Sequence, residues 1–185
     1  KINGKIKIVF NGRNGGYKDR RNLESIINLF KDYQKDDVEL TIKLTNNLRR
    51  WTQKILNNNI SFIKNDSRIT LVQQMMDRKE YINFLTKFDI NLCPSKYEVF
   101  GLTLLEGLHS RLASITIDQS PMNEIINHNE NGICVQSEII DKIRHQNIYN
   151  IDRNQFFYQF KNLINNHGKI MLMKENTNIR IKKNQ

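Results

Sequence analysis

"DINLCPSKYEVFGLTLLEGLHSRLASITID", residues 89–118, decides the fold. Its opening, "DINLCPS", is a short apolar run that Pro94 stops, because proline has no N–H to give to a sheet ladder. "GLTLLEGLH" then carries apolar side chains at helical spacing behind Gly101, and "LASITID" returns to β-branched strand residues. Strand, loop, helix and strand in this order make a βαβ unit.

The alternation extends outward on both sides. "KIKIVFN" reads as a strand, and "NLESIINLFKDYQ" as a helix with Leu23, Ile26, Ile27 and Phe30 on one face. "VELTIKL" is a second strand, followed by a polar helical stretch around Leu48, Trp51 and Ile55, whose spacing places Trp51 in the core. "RITLV" is a third strand and "KEYINFLTKF" a short helix. Beyond residue 118, "PMNEIINH" reads as a helix with Pro121 at its first position, and "GICV" as a sixth strand. From about Ser137 the chain reads as helical and polar. The expected fold is α/β and Rossmann-like, a mostly parallel six-stranded sheet with helices on both faces. Residues 1–167 form the expected domain. Residues 168–185 form a helical, basic tail ending in "NIRIKKNQ", which need not be fully ordered. Ligands of such sheets bind outside the carboxyl ends of the strands, and the motifs singled out below all fall there.

Composition narrows the function. The 29 Lys and Arg against 19 Asp and Glu give a formal charge of +10. Acidic partners follow: nucleic acid, anionic headgroups or a phosphorylated small molecule. No apolar stretch is long enough for a spanning helix, and no signal-peptide pattern opens the chain. Cys93 and Cys134 are no disulfide framework; a cytoplasmic, reducing setting is expected, with a basic surface compatible with peripheral membrane contact. "KINGKIKIVFNG" enters a buried-looking strand at once, as a piece of a longer protein would. His109, His128, His145 and His167 show no metal-ligand spacing, and Cys93 reads as a buried small apolar residue.

The chemistry concentrates in "EVFGLTLLEG". Gly101 precedes the helical pattern, so the amides of Gly101, Leu102 and Thr103 stand at a helix N-terminus, a ready site for phosphate. Glu98 falls in the loop before it and Glu106 about one turn into the helix. Two carboxylates accept hydrogen bonds only, which suits a ligand rich in hydroxyls, such as a nucleotide-sugar. The plainer alternative is that Glu98 caps the helix and Glu106 is a solvated face residue. "FNGRNGGYKDRRN" places Gly12, Arg13, Gly15, Gly16, Lys18, Arg20 and Arg21 after the first strand, where backbone can approach a ligand and cations can neutralise a diphosphate. A flexible basic loop is the alternative. It is neither a Walker loop nor a Gly-x-Gly-x-x-Gly fingerprint.

Strand–"GR"–basic loop–helix, then "PSKYEVFGLTLLEG", then "SPMNEII", then "NGICV" resembles the donor-binding, carboxyl-terminal domain of retaining glycosyltransferases of family 4, with the GT-B architecture. The resemblance runs from about Ile6 to Val135 and more weakly to about Asn166. It implies metal-independent transfer of a sugar, of hexosyltransferase type, from a UDP- or GDP-sugar with retention. No cofactor is expected. The acceptor would be bound mainly by an amino-terminal domain absent from this chain, without which the domain would transfer little. Glu98 would be catalytic, touching hydroxyls of the transferred sugar. Phe100, Gly101, Leu102 and Thr103 would present amides to sugar and diphosphate, and Glu106 would hold the ribose. Arg13 matches the family's diphosphate-binding Arg, with Arg21 or Lys18 as its partner. Gln74 to Met76 lie where backbone groups read the base. Arg111 and Ala113 stand where the family usually has Gly and Pro, and "TIKLTNN" lacks the usual terminal Gly of its strand. Two other readings remain at this point: an inactive sugar-nucleotide binder, and a nucleic-acid-binding module suggested by the charge. The latter lacks a recognition helix or an aromatic stacking pattern.

Overall fold

The structure, a computed structural model, describes residues 4–183. Six strands form one sheet: β1 (Ile6–Arg13), β2 (Val38–Leu44), β3 (Ile69–Gln73), β4 (Ile90–Cys93), β5 (Ala113–Ile117) and β6 (Gly132–Val135). Their spatial order is β3-β2-β1-β4-β5-β6, and every neighbouring pair is parallel. The crossovers carry α1 (Leu23–Asp32), α2 (Arg50–Asn65), α3 (Arg78–Leu85), α4 (Leu102–His109) and the short α5 (Met122–Ile125). This is the Rossmann-like α/β sheet that the alternation predicts.

Both faces of the sheet are covered. Ile6, Ile8 and Phe10 of β1 join the large core with Leu23, Ile26, Ile27 and Phe30 of α1, the four positions picked out by helical spacing. Val9, on the opposite face, packs with Leu85, Phe88 and Leu112. Parallel strands buried on both sides need such near-continuous apolar runs. The strand order reverses between β1 and β4, which opens a crevice at their carboxyl ends.

The region after β6 departs from expectation. Ser137–Ile143 (β7) and Gln146–Ile151 (β8) form an antiparallel hairpin where the sequence reads as helical. Its two-residue turn is Arg144–His145, with Arg144 at φ 54, so the Asn-Gly or Asp-Gly signal of a tight hairpin is missing. Helices α6 (Arg153–Ile164) and α7 (His167–Lys183) follow. Residues 168–183 are helical, as expected, and their first part packs on the domain: Ile170 and Met173 belong to the main core, and Lys174 Nζ reaches Asp89 Oδ1 at 2.6 Å. The final residues of "NIRIKKNQ", 184 and 185, lie outside the described residues. Trp51 is also misplaced by its spacing. It is 42% exposed, with its ring edge-on to Tyr17 at 4.9 Å. Cys93 is buried as expected.

Candidate functional site

The loop between β1 and α1 is folded, not a free basic loop. Gly15 has φ +83, and a Cβ there would lie 1.6 Å from Thr52 Oγ1, so only glycine lets the loop settle on α2. The carboxylate of buried Asp19 accepts from the Thr52 hydroxyl and the Glu24 amide, both at 3.3 Å, and burial raises its pKa above the usual carboxylate range. These anchors fix the direction of the cations around them.

Arg13 ends β1. Its Nη2 donates to Glu106 Oε1 at 2.6 Å, and Tyr81 OH donates to Glu106 Oε2 at 3.2 Å. Glu98 is held from the other side by Arg20 Nη1, at 2.9 Å from Oε2, and by Arg21 Nη1 at Oε1. Arg21 also donates to Thr103 Oγ1 at 2.9 Å, and burial lowers the pKa of its guanidinium. Arg13, Arg20, Arg21, Glu98, Phe100 and Leu102 all line one cleft of about 700 Å³ at the crevice. Gly101, at φ 61, turns the chain into α4, which begins at Leu102, so the first amides of the helix have no intrahelical acceptor. Phe100 is 70% exposed at this mouth.

Several expectations need correction. Glu98, placed by the sequence simply in the loop before the helix, is only 6% exposed and carries two arginines. Lys18 is not brought to the cleft: its Nζ donates to Asp141 Oδ2 of the hairpin at 2.6 Å. Arg21, the other candidate partner of Arg13, does line the cleft, and so does Arg20, which the sequence did not single out for that role. Arg111 stands at φ 59, a position where glycine is unstrained.

A second pocket of about 280 Å³ adjoins the first through Arg13, Thr45 and Met75, which line both. Gln74, Met76, Tyr81 and Glu106 line it, together with Asn11 and Lys43, neither of which the sequence marked. Buried Lys43 Nζ donates to the carbonyls of Leu44 and Gln74, and burial lowers its pKa. Among the described residues no group of three His, Cys, Asp or Glu is placed to hold a metal. No helix among them is long and apolar enough to cross a membrane.

A six-stranded parallel α/β sheet, with three arginines lining the crevice at its switch point, defines a domain of Rossmann-like type. More narrowly, the model of the glycosyl transferases group 1 family matches residues 1–147, and the chain belongs to that family. No curated protein sequence matches it. Its fold is that of GT-B carboxyl-terminal domains. The carboxyl-terminal domain of the group 1 family protein LpcC from Francisella tularensis is 22% identical with a TM-score of 0.66, covering 95% of this chain and 84% of that one. A point mutant of S. aureus TarM, solved with fondaparinux, alpha-GlcNAc-glycerol and UDP, is 15% identical with a TM-score of 0.74 over 97% of this chain. Anabaena Alr3699/HepE in complex with UDP is 11% identical with a TM-score of 0.71 over 94% of this chain. The chain spans 32% of the length of TarM and 43% of that of HepE.

Proposed function

We propose that this chain is the donor-binding domain of a retaining, metal-independent family 4 glycosyltransferase, which moves a hexose from a nucleotide-diphosphate sugar to an acceptor. The observation that carries the reading is the convergence of Arg13, Arg20 and Arg21 on the cleft where α4 begins. Three guanidiniums and a helix N-terminus stabilise negative charge, and the charge that grows during sugar transfer is on the departing diphosphate.

The carboxylates have complementary work. Each oxygen of Glu98 is bonded to one arginine, yet a carboxylate offers about four acceptor positions. Glu98 therefore orients Arg20 and Arg21 while keeping capacity for hydroxyls of the transferred sugar. Glu106, held by Arg13 and Tyr81, is the acceptor for ribose hydroxyls. The acceptor would be bound mainly by a further domain, and without it the domain binds donor but transfers little. Two free cysteines, Cys93 and Cys134, fit a cytoplasmic setting.

Equilibrium dialysis with labelled UDP- and GDP-hexose tests the reading. Saturable binding displaced by the matching nucleoside diphosphate is expected. Binding displaced by arbitrary DNA and not by nucleotide would instead favour a nucleic-acid module. With an acceptor and its domain supplied, the product's anomeric configuration should equal the donor's, and chelator should leave the rate unchanged. Donor binding without any transfer under those conditions would indicate an inactive binder.

A further inference from the structure

We propose that Lys43 and Asn11 read the donor's nucleobase, selecting one with a carbonyl oxygen beside a ring N–H, as in uracil or guanine, over cytosine or adenine. The proposal rests on the donor-site reading of the cleft beside it.

Asn11 and Lys43 are register partners on β1 and β2, so their side chains leave the same face of the sheet side by side. Both line the smaller pocket with Glu106 and Tyr81. A chain of hydrogen bonds fixes the polarity of Asn11. The Glu106 carboxylate only accepts, so the Tyr81 hydroxyl donates to it, at 3.2 Å. The Tyr81 oxygen then accepts from Asn11 Nδ2. This leaves Asn11 Oδ1 as an acceptor, and among the described residues nothing donates to it.

Lys43 supplies the opposite polarity. An ammonium has three N–H donors, and two are taken by the carbonyls of Leu44, at 3.1 Å, and Gln74. The residue is 5% exposed, and among the described residues no carboxylate lies within ion-pairing distance. Holding a cation there without an anion or a full set of acceptors is costly. An acceptor on a ligand in the pocket would complete its hydrogen bonds.

A donor at Lys43 and an acceptor at Asn11 match O4 and N3–H of uracil, or O6 and N1–H of guanine. Cytosine and adenine present the reverse, an amino group beside a bare ring nitrogen, which sets donor against donor and acceptor against acceptor. One polar link, through Tyr81, separates Asn11 from Glu106, so a base at this pair lies next to the proposed ribose site.

Calorimetric titration with UDP, GDP, CDP and ADP tests the pairing. UDP or GDP should bind tighter than CDP and ADP by about tenfold or more. Lys43→Met should reduce that preference to about twofold, weakening the preferred diphosphates far more than CDP or ADP. A wild-type measurement stands beside the variant: methylation of the preferred diphosphate at its ring N–H, N3 of UDP or N1 of GDP, should weaken it about tenfold. Equal affinity for all four diphosphates, tolerance of the methyl group, or equal weakening of all four by Lys43→Met would overturn the proposal. If the four bind equally yet far better than their monophosphates, the base reading alone falls. If no nucleotide binds, the donor-site reading falls with it.

Discussion

Arg13 Nη2 lies 2.6 Å from Glu106 Oε1, joining the cation at the end of β1 to the second carboxylate of the Glu-x7-Glu motif that Glu98 and Glu106 form in "EVFGLTLLEG". In the proposed site one partner serves the diphosphate and the other the ribose. Ligand binding therefore exchanges an internal ion pair for two ligand contacts, and the two residues are coupled. In a double-mutant cycle, Arg13→Ala and Glu106→Ala should each weaken nucleoside diphosphate binding. Together they should cost less than the sum, by about 0.5–3 kcal/mol, because Arg13→Ala alone leaves Glu106 repelling the phosphates. Additivity would show that the pair is not exchanged on binding.

Glu98 has a structural share as well as a chemical one. With Glu98→Ala, buried Arg21 loses its carboxylate, and breaking a buried pair of this kind costs about 3 kcal/mol or more. Glu98→Gln keeps the shape and should cost less. Urea denaturation of both variants measures this. If Glu98→Ala matches the wild-type midpoint, Glu98 is not the buried partner described here.

Of the two candidate partners for Arg13, Arg21 lines the cleft and Lys18 does not, and Lys18 is separated in space from Arg20 as well. Lys18 pairs with Asp141 on the hairpin, the two side chains 43% and 41% exposed, whereas Arg20 lines the cleft. Lys18→Ala should change diphosphate affinity by less than about twofold, and Arg20→Ala should weaken it about tenfold. Direct titration of the two variants decides, and the reverse order would place the diphosphate on the hairpin side of the loop.

The legible parts of this chain are those set by local period. Leu23, Ile26, Ile27 and Phe30 at helical spacing, and the β-branched runs of β1, β2 and β5, announce their elements because one face or both must be buried. The Glu-x7-Glu motif marks the site for a similar reason, since its residues are fixed by one loop and one helix. Other features depend on non-local geometry. That Arg21 is buried and Arg20 partly exposed is a property of the folded loop, not of the spacing of the two residues. Asn11 stands beside Lys43 only through the register of β1 and β2. The β7–β8 hairpin hides because its turn is Arg144–His145 and a bulge between Ile139 and Asp141 interrupts the alternation.

Asp19 gives a pH-dependent outcome. Burial raises its carboxyl pKa in the folded chain, so the fold binds more protons than the unfolded chain between the ordinary value, about 3.9, and the raised one. Stability attributable to this group therefore falls as pH rises through that window, and the penalty is complete above it. Asp19→Asn removes the titration while its amide can still accept from Glu24 N–H and donate to the Thr52 hydroxyl. The variant should exceed the wild type in stability at neutral pH and match it near pH 3, about where both forms of Asp19 are protonated. Thermal melts across this range test it, and a difference independent of pH would contradict it.

The central claim is that Arg13, Arg20, Arg21 and the start of α4 grip a diphosphate. Calorimetric titration of the chain with UDP and UMP, and with GDP and GMP, tests it most directly. The account predicts that the preferred nucleoside diphosphate binds tighter than its monophosphate by about tenfold or more, one charge-assisted contact being worth about 1.5–3 kcal/mol. Equal affinity for diphosphate and monophosphate, or no binding of either, would contradict it.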